Sequence, residues 1–200
     1  MAPRLAHAED APPPKDVPAE RRSGLVIGIT GGLSLSGASG YPNDVQKIDK
    51  AQYYSSSPLL VGATNGLLVM GALSDAFSFG FMFTGNSAKN DRWESTATGI
   101  GFRLEAFPLY SVAPALRDLG FFGQFGVGVA KLAAQGGNFP AAEGVQSFVS
   151  AGAFYEWNVV KFWGGHLALG PSLEGALMTS RPIEHHYGTL GLRVVFYGGK

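Results

Sequence analysis

Cysteine is absent from this chain of 200 residues. Its absence excludes disulfide frameworks, thiol catalysis and thiolate metal sites, while it permits an oxidising compartment. Long apolar runs are absent as well, since no hydrophobic stretch approaches the roughly 20 residues of a membrane-spanning helix. Neither sign of charge is in excess, because 15 basic residues balance 15 acidic ones and no basic stretch is present. Nucleic acid is therefore a poor candidate partner.

Glycine and aromatic residues are plentiful instead, with 29 glycines and 12% aromatics. The run Phe77–Thr84 puts four phenylalanines on one face of a strand and small or polar residues on the other, because successive side chains alternate. Arg103 and Arg193 each share a face with glycine, opposite the hydrocarbon side chains. A narrow polar inside and an apolar outside predict a transmembrane β-barrel. The residues predicted to face lipid are Phe77, Phe79, Phe81, Phe83, Ile100, Phe102 and Leu104.

The predicted fold class is all-β, an eight-stranded antiparallel up-and-down transmembrane β-barrel with short periplasmic turns and longer outer loops. The barrel is expected over residues 24–197, between a lead-in of residues 1–23 and a short tail of residues 198–200. The sequence does not decide which face of the second strand points inward. Asn65 interrupts the apolar pattern on one face, and Thr64 interrupts it on the other. The predicted strands are Leu25–Leu35, one within Leu60–Leu73, Phe77–Phe83, Thr98–Phe107, Leu119–Lys131, Ser147–Trp157, Trp163–Leu177 and Tyr187–Tyr197.

The predicted connections alternate between short and long, which is typical of outer-membrane barrels with their short turns on the periplasmic side. Two connections are short, Ser74–Ala76 and Asn158–Lys161, whereas the first outer loop, Gly37–Pro58, is long and polar. The connection Pro108–Asp118 lies on the short-turn side but is longer than the other turns there. Further outer loops are predicted over Gly85–Ser95, Ala133–Gln146 and Met178–His186. Aromatic rings prefer the headgroup boundary, so two belts are expected near the strand ends. These interface aromatics are Trp93, Trp157, Trp163, Tyr187 and Tyr197.

Charged and amide side chains on the inward face form the candidate site. A barrel of about eight strands has an interior that side chains can just fill, so these ions are expected to pair across it. We favour a salt-bridged plug that closes the lumen, and a polar path or ligand pocket is the alternative. The inward network is predicted to contain Arg103, Glu105, Glu156, Glu174, Arg193, Gln124 and His166. No metal or cofactor is predicted.

The N-terminal segment is interpreted as a remnant of export. Ala6-His7-Ala8 has the small-x-small form of a signal-peptidase site, although only Met1–Leu5 precede it. Our hypothesis places the true start upstream, and an accidental Ala-rich tail is the alternative. Ala11–Arg22 is Pro-rich and charged, and a disordered lead-in is predicted because it has too little apolar surface to fold.

Three motifs with other meanings are discounted. Val26–Gly32 looks like a strand with a phosphate-binding glycine turn, but no helix pattern follows it. Glu184-His185-His186 is interpreted as a solvated loop rather than a metal site, because adjacent histidines do not easily face one ion. His166 and Glu174 share a face but are too far apart along a strand to relay a proton directly.

The alternating strands, the loop asymmetry and the closing strand Leu190–Tyr197 resemble those of small outer-membrane β-barrel proteins of Gram-negative bacteria, the OmpA-like, OmpX-like and OmpW-like barrels. The resemblance covers Gly24–Tyr197 and rests on pattern rather than on a specific motif. In that group the last residue is usually aromatic and serves the assembly machinery, whereas here Gly198-Gly199-Lys200 follow Tyr197. The resemblance implies location and fold, and it implies no substrate.

The function expected is that of a porin-like barrel in the outer membrane of a Gram-negative bacterium, with a structural or envelope-interaction role and at most limited passage of small solutes. Its expected partners are outer-membrane lipid, lipopolysaccharide and the barrel-assembly machinery. A lipid-modifying barrel enzyme is the first alternative, with His166 and Glu174 as its candidate residues. A soluble lipocalin-like barrel, with hydrocarbon inside and ions outside, is the second.

Overall fold

The structure, a computed structural model, describes residues 22–137 and 139–199, apart from the side chain of residue 162. The predicted export signal and the lead-in up to residue 21 lie outside the described residues. None of the described helical segments is long and apolar enough to cross a membrane. The strands are β1 Gly24–Gly40, β2 Ser55–Ser56, β3 Leu60–Ser74, β4 Phe77–Lys89, β5 Trp93–Ala106, β6 Leu119–Ala134, β7 Ala142–Tyr155, β8 Trp157–Phe162, β9 Gly165–Thr179 and β10 Ile183–Tyr197. Two 3-10 turns are Ala51–Tyr53 and Pro114–Leu116.

These strands close into one antiparallel barrel with eight positions around its wall. The last strand, β10, pairs with β1 along its whole length, and β7 and β8 occupy one position because both pair with β9. Paired residues followed around the sheet from Ile29 lead back to β1 at Ser39, ten residues further along. A stagger of this size tilts the strands by roughly 35–45°. The closed eight-position barrel confirms the predicted fold class.

The two faces of the wall differ as the alternation predicts. Phe81 is 55% exposed on the outside, whereas Arg193 on the inside is fully buried. The rings of Phe79, Phe81 and Phe125 each lie 5.9 Å from the ring of Phe102 on the outer surface. This arrangement is the inverse of a lipocalin-like barrel, so the soluble alternative is wrong. The structure places all seven residues predicted to face lipid on the outer face: Phe77, Phe79, Phe81, Phe83, Ile100, Phe102 and Leu104.

The second strand takes one clear register. Leu68 and Met70 of β3 point inward and are buried, while Leu67 and Val69 point outward. Asn65 shares the outward face with these hydrophobic side chains, which is why the pattern of this strand is ambiguous in the sequence.

The connections define two ends of the barrel. The turn end carries residues 75–76, 107–118 and 163–164, and the loop end carries residues 41–59, 90–92, 135–141 and 180–182. Seven strands continue past their predicted loop-end limits, so all four outer loops are shorter than predicted: β1, β4, β5, β6, β7, β9 and β10. The first outer loop, residues 41–59, is the longest connection in the described chain.

The hairpin at residues 157–165 differs from the prediction. The sequence predicts the turn at Asn158–Lys161, but these residues continue the strand as β8, with Lys161 opposite His166. The reversal occurs at Trp163 and Gly164, which both have positive φ, 48° and 74°. A two-residue turn with left-handed backbone matches the twist of antiparallel strands and needs no polar signature.

Candidate functional site: the lumen of the barrel

Glu105 is the centre of a buried ion network in the middle of the lumen. Arg193 donates to both carboxylate oxygens of Glu105, with Nη1 2.6 Å from Oε1 and Nη2 3.1 Å from Oε2. Arg103 donates from Nε to the same Oε1 at 2.7 Å. All three residues are at most 2% exposed, and close pairing of this kind is what makes buried charges tolerable. The network therefore joins β10 to β5 across the interior.

Glu156 extends this network toward the turn end. It lies at the break between β7 and β8, where Arg193 Nη2 is 3.0 Å from its Oε1. The hydroxyl of Tyr197 donates to the same carboxylate, 2.9 Å from each oxygen. The break between β7 and β8 thus places the carboxylate of Glu156 between β10 and the turn end.

Arg22 closes the network at the turn end, just before β1 begins. Its Nη2 is 2.7 Å from Asp118 Oδ1, its Nε is 3.4 Å from Glu156 Oε2, and its backbone N–H donates to Asp75 Oδ1 at 2.7 Å. Its guanidinium also lies 3.6 Å above the ring of Phe107. Burial lowers the pKa of Arg22, but attraction to Glu156 and the other nearby acceptors outweighs this effect and raises the pKa overall.

Aromatic rings cover the two central guanidinium groups. Arg103 lies 3.5 Å above the ring of Phe122, and Arg193 lies 3.8 Å above the ring of Phe154. The Phe107 and Phe154 rings meet edge to face at 5.4 Å, which links this layer to Arg22. The rings exclude water from the ions and fill volume that the inward glycines leave open.

The amide and the remaining predicted ions lie at the margins of the network. Gln124 donates to Glu174 Oε1 at 3.2 Å and accepts from Arg103 Nη1 at 3.4 Å. His166 stacks on Tyr197 at the turn end, with the ring centroids 5.0 Å apart. His166 and Glu174 therefore belong to different layers of the lumen.

Toward the loop end the lumen is filled mainly by apolar side chains. Leu132, Phe148, Met178 and Ile183 pack into one buried cluster, and Trp93 lies against it. Gln146 crosses this layer and donates to the backbone carbonyl oxygens of Met178 and Ile183 at 3.2 and 2.6 Å. The interior thus changes from ionic to hydrocarbon along its axis.

Three of the predicted interface aromatics lie inside the barrel, contrary to the prediction. Tyr187 and Tyr197 are buried, and Trp93 is half-buried against the loop-end cluster. Tyr187 and Tyr197 have the same parity as Arg193 on β10, and Trp93 has that of Arg103 on β5, so alternation alone places them inward. Only Trp157 and Trp163, at the turn end, are exposed.

The residues that complete the turn end are not predicted as part of the site. Arg22 is predicted in the disordered lead-in, and Asp75 and Asp118 are predicted in turns. None of them lies in a strand with clear alternation, so period-two reasoning gives no signal. A closed barrel brings these two carboxylates and the arginine together. Their proximity can be recognised only when the ends of the strands are known.

The motifs discounted in the sequence give no other site. Glu184 and His186 face outward, while His185 faces inward, so the three side chains do not converge. No group of three His, Cys, Asp or Glu side chains within residues 22–137 and 139–199 is arranged to hold a metal ion.

No protein-family model and no curated protein sequence matches this chain. Among solved structures it is similar to Ail, the attachment invasion locus protein of Yersinia pestis, with 12% identity and a TM-score of 0.49 over 87% of this chain and 99% of that one. It is also similar to Neisserial surface protein A, with 12% identity and a TM-score of 0.48 over 86% and 97% of the two chains. OprG, an outer membrane protein from Pseudomonas aeruginosa, is 9% identical, with a TM-score of 0.40 over 89% and 98%. These solved structures are eight-stranded outer-membrane barrels.

Proposed function

We propose that this protein is an integral barrel of a Gram-negative outer membrane, with a closed lumen and a structural or envelope-interaction role. The observation that carries the proposal is the inside-out wall, with exposed hydrocarbon outside and the buried pairs of Glu105, Arg103 and Arg193 inside. In water an apolar belt of this extent would cause aggregation, whereas in a bilayer it is the stable arrangement.

Outward-facing charges support the membrane placement, because they lie toward the ends of the strands. Lys161 is near the turn end, and the remaining ones are near the loop end. The latter are Lys89, Glu94, Lys131, Glu143 and Glu184, all exposed. An uncharged band between two charged margins is what a bilayer requires of a barrel wall. In this orientation the turn end is periplasmic.

The filling of the interior supports the proposed closure of the lumen. Three arginines are neutralised by Glu105, Glu156 and Asp118 in the turn-end half. The apolar cluster around Phe148 and Met178 fills the loop-end half. A bore of eight strands is narrow, so these layers leave little room for steady passage of solutes.

The first outer loop, residues 41–59, is the proposed contact surface. Val45 is 87% exposed and Leu59 62% exposed. The loop is fastened locally, since Asp49 pairs with Arg181 at 3.2 Å and the ring centroids of Tyr41 and Tyr54 are 5.1 Å apart. An ordered loop with exposed apolar side chains suits a contact with another envelope component.

Lipid, lipopolysaccharide and the assembly machinery are the proposed partners of the wall and of the closing strand. A lipid-modifying activity is not favoured, because His166 stacks on Tyr197 while Glu174 is held by Gln124. This leaves the two candidate catalytic groups in separate contacts, without a shared substrate position.

The test of membrane insertion is gel mobility in SDS of detergent-extracted protein, with and without boiling. We expect a faster band in the unboiled sample, because a closed barrel resists unfolding by SDS. Identical mobility together with solubility without detergent would contradict the proposal.

The test of closure is conductance of the same folded preparation in planar lipid bilayers. We expect no steady current above that of a bilayer treated with detergent alone. Reproducible conductance steps from the heat-modifiable protein would instead support the polar path and would reject the plug.

A further inference from the structure

A carboxamide side chain lies on the outer wall next to large hydrophobic side chains. Asn65 is exposed on the outer face of β3. In the register of the sheet it stands in a row with Gly31, Gly85 and Thr98, on β1, β4 and β5. On the same four strands, the next row toward the turn end contains the large, exposed hydrophobic side chains Ile29, Leu67, Phe83 and Ile100. The next row toward the loop end contains Leu33, Ala63, Ser87 and Thr96, so the amide lies where the apolar band gives way to polar side chains.

The two glycines make this row a recess. A Cβ on Gly85 would lie 2.6 Å from the amide oxygen of Asn65, so the amide occupies the space over that glycine. The larger side chains of Phe83 and Ile100 border the recess on the turn side. A convex second barrel would meet these bordering side chains first, whereas a thin, flexible chain reaches the floor.

The amide of Asn65 has no partner of its own. Its side chain makes no hydrogen bond within residues 22–137 and 139–199. On its turn side the amide borders the apolar band, where hydrocarbon offers neither donor nor acceptor and an unsatisfied amide is expensive. The amide thus requires a membrane component that carries hydrogen-bonding groups below its headgroup.

We propose that the row Gly31, Asn65, Gly85 and Thr98 binds the lipid A part of lipopolysaccharide, a phosphorylated glucosamine lipid with amide-linked, hydroxylated acyl chains. The amide and hydroxyl groups at the roots of these chains pair with Asn65 and Thr98. Ordinary phospholipids present only ester carbonyl oxygens there, which accept hydrogen bonds but donate none. The inference rests on the proposed function, since it requires the wall to face a membrane.

The surface above the row suits the head of such a lipid. Lys89 and Lys131 face outward nearer the loop end and form no ion pair within the described residues, which leaves two ammonium groups for phosphates. A cavity of about 410 Å³ adjoins Thr98 and is lined by Thr96, Lys131 and Glu143, among others. Glu94 and Glu143 stand opposite the lysines in register, so charge alone does not select the lipid. The amide row provides the selectivity.

The test compares binding of purified lipid A and of phosphatidylglycerol to the folded barrel in neutral detergent, measured by native mass spectrometry. We expect Asn65→Leu to weaken lipid A binding about tenfold, the size of one or two lost hydrogen bonds, and to leave phosphatidylglycerol binding unchanged. Gly85→Ala should have the same effect by displacing the amide. Ser147→Val, a polar-to-apolar change at an outward position on β7, is the matched control and should stay within about twofold of wild type.

Three results would overturn the inference. The first is equal binding of both lipids by the wild type, the second is unchanged lipid A binding by both Asn65→Leu and Gly85→Ala, and the third is a wild-type dimer that Asn65→Leu converts to a monomer. SDS mobility of the same samples separates this failure from that of the proposed function. A heat-modifiable barrel without lipid A preference rejects only the lipid site.

Discussion

At the scale of single residues, Arg193 has the largest structural consequence, because two buried carboxylates depend on it. Replacement by methionine keeps the volume but leaves Glu105 without its bidentate partner and Glu156 without one of its cations. Breaking a buried ion pair from one side costs about 3–5 kcal/mol. We expect Arg193→Met to lower the free energy of unfolding by that amount, as measured by urea titration in lipid vesicles.

Arg181 provides the matched control for this substitution. It also pairs with an acid, Asp49, but its side chain is 76% exposed. Exposed pairs contribute about 0–1 kcal/mol, so Arg181→Ala should change stability little. Similar losses for the two variants would show that the lumen is hydrated enough to screen its ions.

Residue faces are largely predictable, because alternation along a strand is a local property. It places Arg103, Glu105 and Arg193 inward, as the structure does. The errors arise where another rule replaces parity, as for Tyr197, which is predicted in an interface belt because it is aromatic and near a strand end. The role of Arg22 is not predictable from the sequence for a different reason. Its partners Asp118 and Glu156 are distant in sequence and become its neighbours only when the barrel closes.

At the scale of elements, the turn between β8 and β9 depends on backbone conformation. Gly164 has a φ of 74°, and a Cβ at this position would meet no atom within 4 Å. The cost of a side chain there therefore comes from the left-handed backbone conformation and not from a steric clash. L-residues pay roughly 1–2 kcal/mol in the left-handed region. We expect Gly164→Ala to lower the free energy of unfolding by about 1 kcal/mol, measured as for Arg193→Met.

Gly71 on β3 is the control that separates the cost of the left-handed backbone from any other effect of a glycine-to-alanine change. A Cβ there also meets nothing within 4 Å, but the backbone is not left-handed. Gly71→Ala should therefore be neutral or slightly stabilising, because alanine restricts the unfolded chain. Equal effects at the two positions would mean that the turn relaxes into another conformation.

The existence of the strands is predictable from the sequence, whereas their ends are not. The loop-end extensions, such as β4 through Lys89 and β5 from Trp93, are polar on their outer faces and lack the apolar alternation of the band. The β8 segment resembles a turn in sequence because it contains Asn158, and asparagine is common in turns. Pairing with the neighbouring strands decides these limits, with β9 for the β8 segment and with β4 and β6 for the start of β5. Pairing is a property of the closed sheet.

At the scale of the whole molecule, the depth of a position in the band should set the cost of a charge. Leu192 lies in the middle of the outer face of β10, while Val145 lies near the loop end of β7. An arginine at the midplane costs about 2–4 kcal/mol and one near the interface about 0–1 kcal/mol. We expect Leu192→Arg to destabilise the barrel in phospholipid vesicles by that difference relative to Val145→Arg. Equal costs would place the centre of the band elsewhere.

The position of Arg193 on the final strand has a consequence for the order of assembly. Glu105 and Glu156 come from earlier segments and receive this counter-ion only when β10 docks beside β1. An intermediate sealed without β10 would enclose acids that lack their main cation, a state that low-dielectric surroundings strongly disfavour. Charge neutralisation by Arg193 thus favours the complete ring over a smaller one closed without β10.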